Sequence, residues 1–196
     1  MEHVLILPTG TANLASVEAA FRKASATTKR ADDPHAILKA RHVVLPGVGT
    51  FGATMDGLRK AGFDQAIAER VASGAPTLTM CVGLQVLFDI SAESPDAQGL
   101  GAIEGKVGRF PANVSVPQFG WNQIEADEAC RYLESGYAYF ANSFRVRTAP
   151  GCKTAIAHHG EPFIAAFEKG DVVACQFHPE LSGAFGHRLI SRWLEG

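Results

Sequence analysis

A cysteine, a histidine and a glutamate, far apart in the chain, stand where thiol chemistry would need them. In Thr79-Met80-Cys81-Val82-Gly83-Leu84-Gln85 the cysteine falls between the apolar run Ala75–Met80, which reads as a strand, and Gly83–Ile90, which has helical spacing. A small residue follows two positions later, the layout of a nucleophile elbow. The N–H groups and positive dipole end of a helix start stabilise a thiolate and can hold a developing oxyanion. In Gln176-Phe177-His178-Pro179-Glu180 the run Val172–Phe177 ends on a histidine. In extended chain His178 and Glu180, at i and i+2, point to one side. A neutral His178 would take the Cys81 proton while Glu180 fixes its tautomer, a thiol form of triad logic. Pro46-Gly47-Val48-Gly49 closes another strand, Arg41–Leu45, and its two glycines are free to adopt positive φ and aim a backbone N–H inward.

Read singly, each piece has a plainer meaning. A cysteine is usually small core packing, a His-x-Glu a solvated pair, and Pro-Gly-Val-Gly a turn. Together, at three strand ends, they fit the rule that open α/β sheets bind ligands at the carboxyl ends of their strands.

The elements that must position them alternate. His3–Leu7 reads as a buried strand closed by Pro8-Thr9-Gly10; Asn13 then caps a helix with an apolar stripe of Leu14, Val17, Phe21 and Ala24. Phe63–Ala72 is helical by pattern. Gly105 to about Arg147 suggests hairpins or irregular strands. Phe163–Phe167 and Val172–Phe177 flank Glu-Lys-Gly-Asp as a hairpin, before a closing helix carrying Phe185, Leu189 and Trp193. The expectation is a three-layer α/β/α fold with a mainly parallel central sheet plus a β-rich segment, in a single domain over residues 1–196.

With 196 residues, 46% of them hydrophobic, one buried core is affordable. Against 20 Asp+Glu, 18 Lys+Arg give a net charge of -2, so there is no broad attraction for nucleic acid or an anionic membrane. Cys81, Cys130, Cys152 and Cys175 lack C-x-x-C spacing, which points away from zinc and disulfides and toward a reduced cytoplasm. The first residues are too weakly flanked for a signal peptide, and no run reaches membrane-spanning length. His158-His159 would face opposite ways in a strand with no carboxylate cluster beside them, so neither metal nor cofactor is expected. His3, His35, His42 and His187 read as structural or surface residues.

These residues resemble the class I glutamine amidotransferases, whose Cys elbow, glycine-bearing oxyanion loop and terminal H-P-E match Cys81, Gly47–Gly49 and His178–Glu180. More narrowly, the chain is similar to the glutaminase subunits of imidazole glycerol phosphate synthases: Pro46–Phe51, Gly120-Trp121-Asn122, Tyr139–Phe144 and Gln176–Ser182 recur in their order. The resemblance covers essentially the whole chain. It implies hydrolysis of glutamine to glutamate and ammonia through a γ-glutamyl thioester on Cys81. Val48 and Val82 would give the oxyanion-hole N–H groups, and Gly49, Gln85 and Ser143 would hold glutamine. Ammonia would pass to a (β/α)-barrel cyclase subunit in a one-to-one heterodimer, for histidine biosynthesis. The isolated chain would be nearly idle until docking turns the Gly47–Val48 peptide, with Asn13 and Trp121 on the docking face. A glutaminase of another synthase, an idle regulatory homologue and a redox-sensor or chaperone-type cysteine protein are the alternatives.

The chain departs from the family pattern at four places. Pro8-Thr9-Gly10-Thr11-Ala12-Asn13 stands where D-Y-G-x-G-N is usual, Thr79 where glycine precedes the cysteine, Asn142-Ser143-Phe144 where H-S-Y is usual, and Leu181 where lysine commonly follows H-P-E.

Overall fold

The structure, a computed structural model, describes residues 2–10 and 12–196; Met1 and Thr11, the latter inside the expected first loop, lie outside the described residues. The chain runs β1 (His3–Ile6), α1 (Leu14–Lys23), β2 (Thr27–Arg30), α2 (Pro34–Lys39), β3 (His42–Leu45), α3 (Phe51–Ala61), α4 (Asp64–Ala72) and β4 (Thr77–Met80). Then come α5 (Val82–Gln85), β5 (Ile90–Ser91), β6 (Lys106–Arg109), β7 (Gln118–Ala126), β8 (Gly136–Asn142) and β9 (Phe144–Val146). The last elements are β10 (Lys153–His158), β11 (Pro162–Lys169), β12 (Val172–Cys175) and α6 (Gly183–Glu195).

Among the described residues nine strands form one sheet in the order β2-β1-β3-β4-β12-β11-β10-β7-β8, and β5-β6-β9 form a small second sheet. From β2 to β12 every pairing is parallel; from β12 to β8 every pairing is antiparallel. The inner parallel strands β3, β4 and β12 are buried on both faces, as β1 is beyond its first residue, which is why they read as unbroken apolar runs. Val4 and Ile6 face a core with α1 and α6, including Phe21 and Trp193; Leu5 and Leu7 face a core with α3 and α4, including Met55 and Ile67. That alternation makes the three layers expected from the sequence.

Local chemistry sets the helix starts. Asn13 accepts from the Ser16 N–H at 3.3 Å, as expected, while Asp33 with Pro34 behind it starts α2 and Thr50 starts α3. The sequence reading did not find β2, α2 or α3. It also overextended the helix after the elbow: α5 stops at Gln85 and Ile90 is already in β5. The carbonyls that would continue the ladder are taken from outside, Val86 O by Leu100 N–H (2.8 Å), Leu87 O by Ile103 N–H (3.0 Å) and Asp89 O by Gly99 N–H (2.8 Å). No described helix is long and apolar enough to cross a membrane.

Candidate active site

The parallel pairing of β4 with β12 brings the site together. Its register sets Met80 opposite Cys175, so the chain leaves both strands at one level and Cys81 and His178 follow within a few residues. Cys81 has φ 51° and ψ -114°, a left-handed backbone rare for a residue with a side chain. Such strain persists only where neighbours fix it. Here the Cys81 N–H donates to Cys175 O at 2.7 Å, and Cys81 O accepts from Leu84 N–H at 3.0 Å. The turn also needs a glycine behind it, because a Cβ on Gly83 would lie 2.4 Å from Leu45 O.

His178 and Glu180 are paired, but not through the backbone expected. The strand ends at Cys175, and Pro179–Leu181 form a 3-10 turn rather than extended chain. That turn curls Glu180 back, so that His178 Nδ1 lies 2.8 Å from Glu180 Oε1. Both side chains are almost wholly buried. Burial opposes the charged imidazole, yet hydrogen bonds and charge from Cys81 on one side and Glu180 on the other outweigh it and raise the His178 pKa to about 10. The arrangement favours the proton on the imidazole.

The other three thiols contrast with it. Cys130, Cys152 and Cys175 are also free. Burial pushes Cys130 up to about 11, helped by Glu168 and Asp127; it raises Cys152 and sends Cys175 well above its usual range. None of them is held by a histidine in this way.

Pro46–Gly49 lies against the elbow. A Cβ on Gly47 would meet Gly83 N at 2.6 Å and Val82 Cγ1 at 2.3 Å. The two glycines therefore act differently from the expectation: Gly49 has φ +102°, whereas Gly47 is not among the positive-φ glycines and serves close approach. Val48 is 44% exposed and Val82 is buried. Gln85 is buried too, and its Nε2 donates to Phe144 O (3.1 Å) and Gln176 Oε1 (2.9 Å). This ties the elbow to the Ser143–Phe144 segment, so Gln85 and Ser143 are linked through the neighbouring carbonyl.

Two further groups escaped the sequence reading. Gln176 is fully buried and directs Nε2 toward Cys81 Sγ at 3.8 Å. Ser182 binds the backbone of His178 at 2.6 Å. The first lies two residues before the histidine, with nothing in its type to mark it; the second reads as an ordinary helix cap. Asn13 is exposed at the start of α1, which packs on the Pro179–Leu181 turn, and Trp121 is 58% exposed on β7.

Fold and site describe a class, an α/β protein with a cysteine on a strained strand-to-helix turn beside a buried His–Glu pair. The family model "Glutamine amidotransferase class-I" matches residues 11–195. The imidazole glycerol phosphate synthase subunit HisH of Mycolicibacterium paratuberculosis is 39% identical over 200 residues, covering 98% of this chain and 97% of its own. The subunit of the same name from Symbiobacterium thermophilum is 36% identical, covering 98% and 93%. The chloroplastic imidazole glycerol phosphate synthase hisHF of Arabidopsis thaliana is also 36% identical, over 97% of this chain and 34% of its own. A crystal structure of a glutamine amidotransferase superposes with TM-score 0.78 at 22% identity, covering 98% of this chain and 97% of that one, a likeness of fold. The chain belongs to the class-I glutamine amidotransferase family and, within it, to the HisH subunits of imidazole glycerol phosphate synthase.

Proposed function

We propose that Cys81 of this chain hydrolyses the side-chain amide of glutamine and that a cyclase subunit of imidazole glycerol phosphate synthase consumes the ammonia, in histidine biosynthesis. The observation that carries the residue assignment is the placing of His178 between Cys81 and Glu180. With its proton on His178, the Cys81 thiolate attacks the amide carbon of glutamine. The N–H groups of Val48 and Val82 receive the negative charge that develops on oxygen. His178 gives its proton to the departing nitrogen, ammonia leaves, and a γ-glutamyl thioester remains on sulfur. Water then loses a proton to His178 and attacks the thioester, releasing glutamate and restoring the pair. Glu180 holds the imidazole through Nδ1, leaving its other nitrogen for the sulfur and the leaving group. Gly49, Gln85 and Ser143 hold the glutamine. Both Nε2 hydrogens of Gln85 are committed, which leaves its carbonyl to accept from the substrate.

The partner reading is a one-to-one complex with a (β/α)-barrel cyclase in the cytoplasm. The surface supports it: Phe119, Trp121 and Tyr137 are exposed by 73%, 58% and 58%, and alternation on paired strands sets them on one face with Tyr139. Leu181, at 47%, adds apolar surface where the family commonly has lysine. Exposed aromatics on one face mark a contact surface, and α1, which Asn13 starts, packs on the turn that carries Leu181. Glutamate release from L-glutamine should be slight for the chain alone, higher with a cyclase, and highest with cyclase and its nucleotide. Full turnover by the chain alone would overturn partner control while leaving the triad untouched.

A further inference from the structure

Ser182 opens α6, yet its hydroxyl does not cap that helix. It accepts the N–H of Tyr139 at 3.0 Å and donates to His178 O at 2.6 Å. The His178 N–H donates in turn to Tyr139 O at 2.9 Å. Tyr139 lies in β8, the last strand of the large sheet, so its outward N–H and C=O meet no further strand. In an ordinary antiparallel pair two residues exchange both bonds directly. Here one bond is direct and the other passes through the Ser182 hydroxyl, which sits between the two peptides like a fixed water and holds that end of the pair open. At 1% exposure Ser182 has no solvent competing for its bonds.

We infer that Ser182 is a positioning residue for glutamine hydrolysis: its hydroxyl fixes the His178 backbone to β8 and so sets where the imidazole stands relative to Cys81. The inference rests on the reading of Cys81 and His178 above. The clasp closes on the peptide of the histidine itself, and Glu180 lies within the short turn it spans. Its far end is the residue whose ring packs edge-on to Phe119 (5.8 Å) and Trp121 (6.2 Å). A shift of β8 under a docked partner is thus carried to His178 by one direct backbone hydrogen bond and one hydroxyl bridge.

The test compares Ser182→Ala, Ser182→Thr and Ser182→Cys in complex with a cyclase subunit, with Cys81→Ala beside them. A displacement of about 1 Å costs on the order of a hundredfold. Ser182→Ala should therefore lose about 10- to 100-fold in kcat with KM for L-glutamine unchanged, and the acid limb of its pH–rate profile should move. Ser182→Thr, which keeps the hydroxyl, should recover most of the rate at whatever thermal midpoint it has. If Ser182→Ala does not fold, Ser182→Cys, which keeps the volume with a weaker donor, should show the same kcat loss in smaller measure. Undiminished kcat in folded Ser182→Ala or Ser182→Cys, or equal losses for Ala and Thr, would overturn the clasp while Cys81→Ala remains dead. Glutamate release by Cys81→Ala would instead remove the site on which the clasp depends.

Discussion

The two halves of the large sheet are built for different work. In the parallel half, inner strands buried on both faces end side by side, and Cys81 and His178 follow β4 and β12 at one level. Strain is stored there, at Cys81, and neighbours fix it from several sides. In the antiparallel half, β7 and β8 bury one face and expose the other, and the exposed one carries Phe119, Trp121 and Tyr137. The proposed chemistry sits where the backbone is buried and bonded on both sides, and the proposed partner surface sits where one face is left open. They meet at the Tyr139–His178–Ser182 clasp and at Gln85, which reaches Phe144 O beyond the end of β8.

The comparison breaks first at the triad. Cys81→Ala should lower turnover on the order of a millionfold, as loss of a nucleophile does elsewhere, without changing the fold. His178→Ala should cost nearly as much and Glu180→Gln only about 10⁴-fold, because an orienting group acts through its partner. Rates of single and double variants check this: strongly non-additive losses are expected, and additive ones would mean that the three are not one unit.

A variant on the exposed face of β7 should behave oppositely. Trp121→Ala should leave the reaction of Cys81 with an electrophile unchanged in the free chain but weaken cyclase binding by about 2 kcal/mol, roughly 30-fold in Kd. Titration calorimetry with the cyclase measures it. Unchanged binding would move the partner surface elsewhere.

The smallest effect lies beneath the elbow. Thr79 is fully buried, and its hydroxyl has no partner among the described residues. Thr79→Val removes that unsatisfied group at nearly equal volume, so stability should rise by about 1 kcal/mol with turnover unchanged. Urea denaturation at fixed pH reads it, and a loss of stability would show that the hydroxyl contributes a bond.

Legibility in the sequence followed the same division. The parallel strands could be read because burial on both faces gives continuous apolar runs ending at glycine and proline, and the elbow and His-Pro-Glu lie at those ends. The edge strand Thr27–Arg30 could not, since it pairs only with β1 and its residues are polar and partly exposed. Phe51, Thr54, Met55 and Leu58 carry a helical stripe behind the cap at Thr50, so the signal for α3 is present in the sequence. The region after Gln85 misled because Val86, Leu87 and Phe88 are buried, and apolar spacing cannot show that loop N–H groups will claim their carbonyls. His178 and Glu180 were matched correctly for a backbone that differs, a 3-10 turn doing what i and i+2 in a strand would have done. Ser182 was invisible because its role depends on an edge strand distant in sequence.

The central claim is that one thiol of four forms the covalent intermediate. Cys81 alone is backed by a histidine, while burial holds the other three protonated. The direct test treats the chain in its cyclase complex with a glutamine-analogue electrophile at neutral pH and maps the adduct by peptide mass spectrometry. One equivalent on the peptide containing Cys81, abolished by His178→Ala, is the predicted result. An adduct on Cys130, Cys152 or Cys175, or glutamine hydrolysis that continues after Cys81 is fully labelled, would contradict it.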